Sequence, residues 1–267
     1  DDKQSHVPFW KLYKFTVSGF ALNYATPIGL MGGEPYRIME LTPYIGGSKA
    51  TSSVILYVMT HIFSHFWFWL SSIPLYIAMY SLDAGMAIIL SIIAGCCLLA
   101  IYFFLKGYRN GMAMKSLRLC QKFPFLKKRA TRFIEEKHET LERIDQQIAA
   151  LNRQHKRTFT GALLLEYSAR IIGCLEIFFI LKILTPHVNF LDCILIQSFT
   201  SLFANLFFFS PMQLGAREGG FALAIGGLRM HGAWGVYTGL LTRVREVIWI
   251  AIGVLLMKVG NSHKTES

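Results

Sequence analysis

Charge is scarce in this chain. Of its 267 residues, 16% are Asp, Glu, Lys or Arg, against roughly 25% in soluble domains. Two long stretches, Ala50 to Leu82 and Ala84 to Leu105, contain none of the four. A bilayer-spanning helix needs about 20 apolar residues, so each stretch is long enough to span. Too little polar sequence remains to cover both as the core of a soluble fold. Cysteine is sparse as well. The five present (Cys96, Cys97, Cys120, Cys174, Cys193) form no Cys-x-x-Cys pair and no set spaced with histidine for metal. An odd count placed mostly in apolar segments argues against a disulfide framework and leaves them as small packing residues. The chain also lacks a Gly-x-x-x-x-Gly-Lys-Ser/Thr phosphate loop, so no energy source shows, and an Asp-x-Asp pair that could hold a metal for lipid-phosphate chemistry; no cofactor is expected.

The charge that is present is unevenly placed. The net charge is +11, and the loop 106–157 alone holds fourteen Lys/Arg against five acids, a net +9. Nucleic-acid binding is the usual reading of such an excess, but a basic block between apolar spans fits the positive-inside rule and marks a cytoplasmic loop. Attraction to anionic lipid headgroups is a second use. Within the loop, Ile134, Leu141, Ile144, Ile148 and Leu151 recur at helical spacing, an amphipathic helix suited to the inner leaflet.

With that loop inside, the spans Ser48–Tyr80, Ala84–Leu105, Thr158–Leu184 and Ala233–Met257 alternate in direction. Two segments remain, Phe9–Ile45 and Leu191–Gly227. Each contains the same phrase, Ser/Thr-Pro-x-x-Leu-x-x-x-Glu: "TPIGLMGGE" from Thr26 and "SPMQLGARE" from Ser210. Each begins and ends on one side of the membrane, the first opening inward and the second outward. Both therefore read as re-entrant helical hairpins, broken at Pro27 and Pro211 and turned by Gly32, Gly33, Gly215 and Gly219. Non-helical backbone at membrane depth must be covered by protein or water. The expected fold is all-α and polytopic: one transmembrane domain over 1–267 built on an inverted repeat of hairpin plus span, as in many transporters. The opening "DDKQSHVPFWK" suggests a fragment of a longer protein.

An ionisable side chain at membrane depth costs about 2.5–3.5 kcal/mol on insertion scales and is a functional candidate for that reason. Glu34 and Arg37 follow the first phrase, and Arg217 and Glu218 end the second. Glu166, Arg170 and Glu176 lie on the span after the loop, with Arg243, Arg245 and Glu246 on the last span. Glu166 with Arg170, and Arg243 with Glu246, have helical pairing distances. Such pairs either pin helices together or poise arginines around an anion. Guanidinium grips phosphate through a rigid fork, and a broken helix's free amides add donors. A phosphate-headed lipid suits this set, with Glu34, Arg37, Arg217, Glu218, Arg243, Arg170 and Glu166 as its binding residues. His61 and His65, four apart, have no third ligand at metal spacing and read as a hydrogen-bonded polar face.

"TPIGLMGGEPYR" and "SPMQLGAREGG", followed by "LLTRV", resemble the signature stretches of the transmembrane region of lysylphosphatidylglycerol synthases, a family of flippase-like membrane proteins. The likeness covers most of the chain in order. It implies movement of a phospholipid or polyprenyl-phosphate-linked lipid between leaflets of the cell membrane. It places Gly33, Glu34, Pro35 and Arg37 in a first motif, Gly215, Arg217, Glu218 and Gly219 in a second, and Arg243 as the arginine that follows. Many relatives carry an arginine early in the span after the first motif, where this chain has "LYVMTHIFSH"; His61 or His65 stands in its place. No counterpart of the soluble aminoacyl-transferring domain is present in these residues, so synthase activity is not expected. Two other readings compete. One is an intramembrane enzyme acting on a lipid phosphate. The other is an assembly module, in homo-oligomers or otherwise, using the small-xxx-small faces of "GAREG" and "GVYTG".

Overall fold

A computed structural model describes residues 7–25, 32–110, 131, 156–207 and 213–258. Among them there are eight helices and no strand, in line with an all-α chain. In order they are α1 (Phe9–Ala25), α2 (Gly33–Ile45), α3 (Gly47–Met79), α4 (Ala84–Asn110), α5 (Lys156–Leu184), α6 (Phe190–Leu206), α7 (Ala216–Gly227) and α8 (Gly232–Lys258). The amphipathic helix expected in the basic loop, and both Pro27 and Pro211, lie outside the described residues.

The elements follow from local chemistry. Gly46, at φ +79°, ends α2, and its N–H donates to the carbonyl of Thr42 at 2.9 Å. This is the left-handed glycine that commonly closes a helix. One residue thus separates α2 from α3, a helix of 33 residues, about 50 Å long at 1.5 Å per residue. It runs through Pro74 without interruption. The "TPHVNF" stretch turns the chain between α5 and α6. There Asn189 caps α6 while Asp192 reaches back to the Asn189 N–H, a capping box. The Tyr80 hydroxyl donates to Asp192 at 2.7 Å.

Two described helices are long and apolar enough to cross a bilayer: α3, and α4 over Ala84–Lys106. α5 and α8 have spanning length, but charged side chains interrupt their middles: Glu166, Arg170 and Glu176 in the first, Arg243, Arg245 and Glu246 in the second. α4 exposes Ile88, Ile89, Ile92, Leu98, Leu99 and Phe103. A surface of that size and greasiness is rare on a protein that meets only water.

The chain divides into two compact units. The first comprises Asp1–Glu40, Ser71–Tyr80 and Ala169–Ser267. In it α1 packs on α8, α8 on α7, and α7 on α6. Glycine permits these approaches. A Cβ on Gly253 of α8 would lie 2.6 Å from both the Ala21 Cβ and the Val17 carbonyl oxygen of α1, and Ser18 donates to the Gly253 carbonyl at 3.1 Å. A Cβ on Gly235 would lie 2.4 Å from the Ala222 backbone nitrogen, and one on Gly239 would lie 3.1 Å from the Glu218 Cα. α7 and α8 are therefore antiparallel and nearly in backbone contact. The small-xxx-small face of "GVYTG" is consumed inside the chain.

The second unit comprises Leu41–Leu70 and Ser81–Ser168. Its core is Met59, Phe63, Ile101 and Phe104, with Phe159 and Leu163 of α5 against it. Phe63 and Phe104 stack with ring centroids 4.1 Å apart.

Candidate functional site

Both phrases place their carboxylate in the first turn of a described helix: Glu34 in α2 and Glu218 in α7. Acidic side chains there complement the helix dipole. Each also engages an arginine.

At the first junction, Asn23 of α1 joins the two helices. Its side-chain oxygen accepts from the Gly33 N–H at 2.7 Å, and its amide nitrogen donates to Glu34 Oε1 at 3.1 Å. An asparagine of α1 thus caps the start of α2. Arg37 lies 3.6 Å from Glu34 and donates to the Thr16 carbonyl at 3.2 Å. It is buried over Gly19, where a Cβ would sit 2.6 Å from its Nε. Gly33 is pressed onto the Gly19 carbonyl oxygen, which a Cβ would meet at 2.2 Å. Pro35 is exposed in the same first turn, and Gly32 precedes it, half-buried. Gly33→Ala is therefore expected to part α1 from α2. We expect a loss of at least about 2 kcal/mol, typical of overpacking against backbone, read as a lowered thermal midpoint in detergent.

The second junction turns on two left-handed residues, Gln213 at φ 53° and Gly215 at φ 79°. Glycine tolerates this conformation; glutamine does so at a cost, and such strain concentrates at functional sites. The Gln213 carbonyl accepts from Arg243 Nη2 at 3.0 Å, and its side chain donates to the Ala204 carbonyl at 3.3 Å. Glu218 accepts the Gly215 N–H at 2.9 Å and holds Arg243 through Nε at 2.7 Å. Gly219 faces open space.

Around Glu246, near the midpoint of α8, three arginines meet. Arg217 of α7 donates to Glu246 Oε1. Arg243 Nη1 lies 3.6 Å from Oε2, and Arg245 Nη2 lies 4.0 Å from Oε1. Arg245 also donates to Glu176 of α5 at 2.6 Å. The side chain of Glu246 is 5% exposed, and those of Arg217 and Arg243 are 16% and 13%.

Of the residues expected to hold substrate, the structure gathers Arg217, Glu218 and Arg243 into one cluster and pairs Glu34 with Arg37 in another. Glu166 engages His61 Nδ1 at 3.0 Å in the second unit, and Arg170 lies half-buried one turn farther along α5. His61 and His65 stand edge to face, ring centroids 5.3 Å apart. Among the described residues no group of three or more His, Cys, Asp or Glu side chains is placed to hold a metal. Asn23 and Gln213 escaped sequence reasoning, because neutral amides in apolar sequence carry no spacing signal. Glu246 was legible only as a partner of Arg243; its contact with Arg217 depends on how α7 meets α8.

Neither a curated protein nor a solved structure matches the chain. Residues 2–253, however, match the family described as "Lysylphosphatidylglycerol synthase TM region". With its apolar helices and charged junctions, this chain is a membrane protein that belongs to the lysylphosphatidylglycerol synthase transmembrane-region family.

Proposed function

We propose that the protein is a lipid translocase that binds the phosphate of an anionic phospholipid, or of a polyprenyl-phosphate-linked lipid, at the arginines of α7 and α8. The observation that carries this reading is the convergence of Arg217, Arg243 and the more exposed Arg245 on the buried carboxylate of Glu246 near the midpoint of α8. Arginine costs less to desolvate than lysine and matches two phosphate oxygens at once. A cluster of this kind inside a membrane protein marks a route for charge. In this reading both phrases are re-entrant hairpins of an inverted repeat in a multi-pass cell-membrane protein, with loop 106–157 cytoplasmic and lipid as the partner. Glu34 and Arg37 guide the headgroup from the first hairpin.

The test is reconstitution. Purified protein in vesicles should move a short-chain fluorescent phosphatidylglycerol between leaflets, scored by the fraction bleached by an external reductant. Glu34→Gln and Glu218→Gln should slow transfer comparably, by roughly tenfold, the value of one charge-assisted contact. If only one exchange slows transfer, functional symmetry is wrong; no transfer by the parent chain sinks the proposal.

A further inference from the structure

The cluster at α8 contains three guanidinium groups and three carboxylates. Arg243 and Arg245 each have a nearer carboxylate than Glu246: Glu218 at 2.7 Å for Arg243 and Glu176 at 2.6 Å for Arg245. Arg217 differs. Among the described residues, the one carboxylate it touches is Glu246. Glu246 in turn is the most buried of the three acids and lies within 4.0 Å of all three arginines. Its Oε2 has no hydrogen-bond donor among the described residues, although a buried carboxylate oxygen normally has one. An oxygen left so, facing an arginine 3.6 Å away, marks a place where the fit to the arginines is incomplete.

A carboxylate and a phosphodiester present the same chemistry to an arginine: one negative charge shared by two oxygens that accept a forked pair of N–H groups. The cluster is already neutral. A phosphodiester added to it would leave an uncompensated buried negative charge, which costs several kcal/mol in a medium of low dielectric. Resting on the reading that the arginines bind lipid phosphate, we propose that Glu246 is an internal stand-in for that phosphate, holding Arg217 as a carboxylate in the absence of lipid and, when lipid binds, taking up a proton from water and surrendering the arginine, so that the net charge of the cluster does not change. Binding is then an exchange of one anion for another. Arg243 and Arg245 keep their own carboxylates throughout, so Arg217 is the residue that changes partner. The exchange keeps the arginines positioned between substrates and sets a threshold against weak anions, because any ligand must compete with a carboxylate already in place.

The exchange predicts the opposite sign from a structural role. Titration of the purified full chain with short-chain phosphatidylglycerol should show Glu246→Gln binding on the order of tenfold tighter than the parent, and the double variant Arg217→Gln with Glu246→Gln, which leaves no stranded carboxylate, binding weakly. Equal or weaker binding by Glu246→Gln, with the double variant still impaired, overturns the exchange and leaves the phosphate site standing. Parent-like binding by both variants overturns the site and the exchange together. Should Glu246→Gln fail to fold, infrared difference spectra of the parent chain on adding the same lipid read the event directly. A change in the carboxylate stretch supports the exchange, and an unaltered carboxylate region overturns it.

Discussion

Exchanging Arg217 and Glu246 together for glutamine is expected to give a folded protein that has lost most of its lipid transfer. The pairing of the two exchanges matters. Arg217→Ala alone strands Glu246, at 5% exposure, without its closest cation. Breaking a buried ion pair from one side costs about 3–5 kcal/mol, comparable to the whole stability of many domains. Loss of transfer in that variant would then say nothing about substrate. In the double variant the cluster stays neutral, because Arg243 and Arg245 keep Glu218 and Glu176, and the two glutamines can bond to each other. What disappears is the arginine that would take the phosphate. A hydrogen bond to a charged group contributes about 1.5–3 kcal/mol, so transfer of phosphatidylglycerol should fall by roughly 10- to 100-fold. Thermal midpoint and elution volume should stay close to those of the parent. Parent-level transfer by the double variant would remove Arg217 from the mechanism.

The second large effect concerns the scaffold. Gly235→Leu is expected to abolish folding of the α7–α8 hairpin, because its Cβ alone would lie 2.4 Å from the Ala222 nitrogen and 2.5 Å from the Phe221 carbonyl carbon. Those are main-chain atoms and cannot rotate aside, so the helices must separate. Separation pulls Arg217 and Glu218 of α7 from Glu246 and Arg243 of α8, which strands several buried charges at once. Gly219→Ala is the control, since a Cβ there meets nothing within 4 Å and helical alanine is about 1 kcal/mol better than glycine. Its thermal midpoint in detergent should equal or exceed the parent's, while Gly235→Leu should yield aggregated protein. Well-folded Gly235→Leu would contradict the close approach of α7 and α8.

Much of the helical frame was legible because apolar runs and turn chemistry are local. Ala84 to Leu105 contains no charge and became α4; "TPHVNF" ends one helix and, through Asn189, begins the next. The repeated phrase was legible as two helix starts that carry a carboxylate, and Glu34 and Glu218 do stand in the first turns of α2 and α7; Pro27 and Pro211 lie outside the described residues. What the sequence could not show was tertiary. Arg243 and Glu246 have helical spacing and sit 3.6 Å apart, as that spacing suggests, while Glu166 also engages His61 across 105 residues. Spacing along one helix cannot reveal a partner on another. Gly235 and Gly239 likewise read equally well as an oligomer face, and only the position of α7 shows that they are spent on internal packing.

The most direct measurement is covalent capture of lipid at the site. A phosphatidylglycerol carrying a photoreactive group on its headgroup, irradiated with the reconstituted protein and mapped by peptide mass spectrometry, should label α7 and α8 around Arg217 and Arg243. The label should fade in the double variant lacking Arg217 and Glu246. Labelling confined to the apolar face of α4, from Ile88 to Phe103, or unchanged in that variant, would contradict a phosphate site at these arginines.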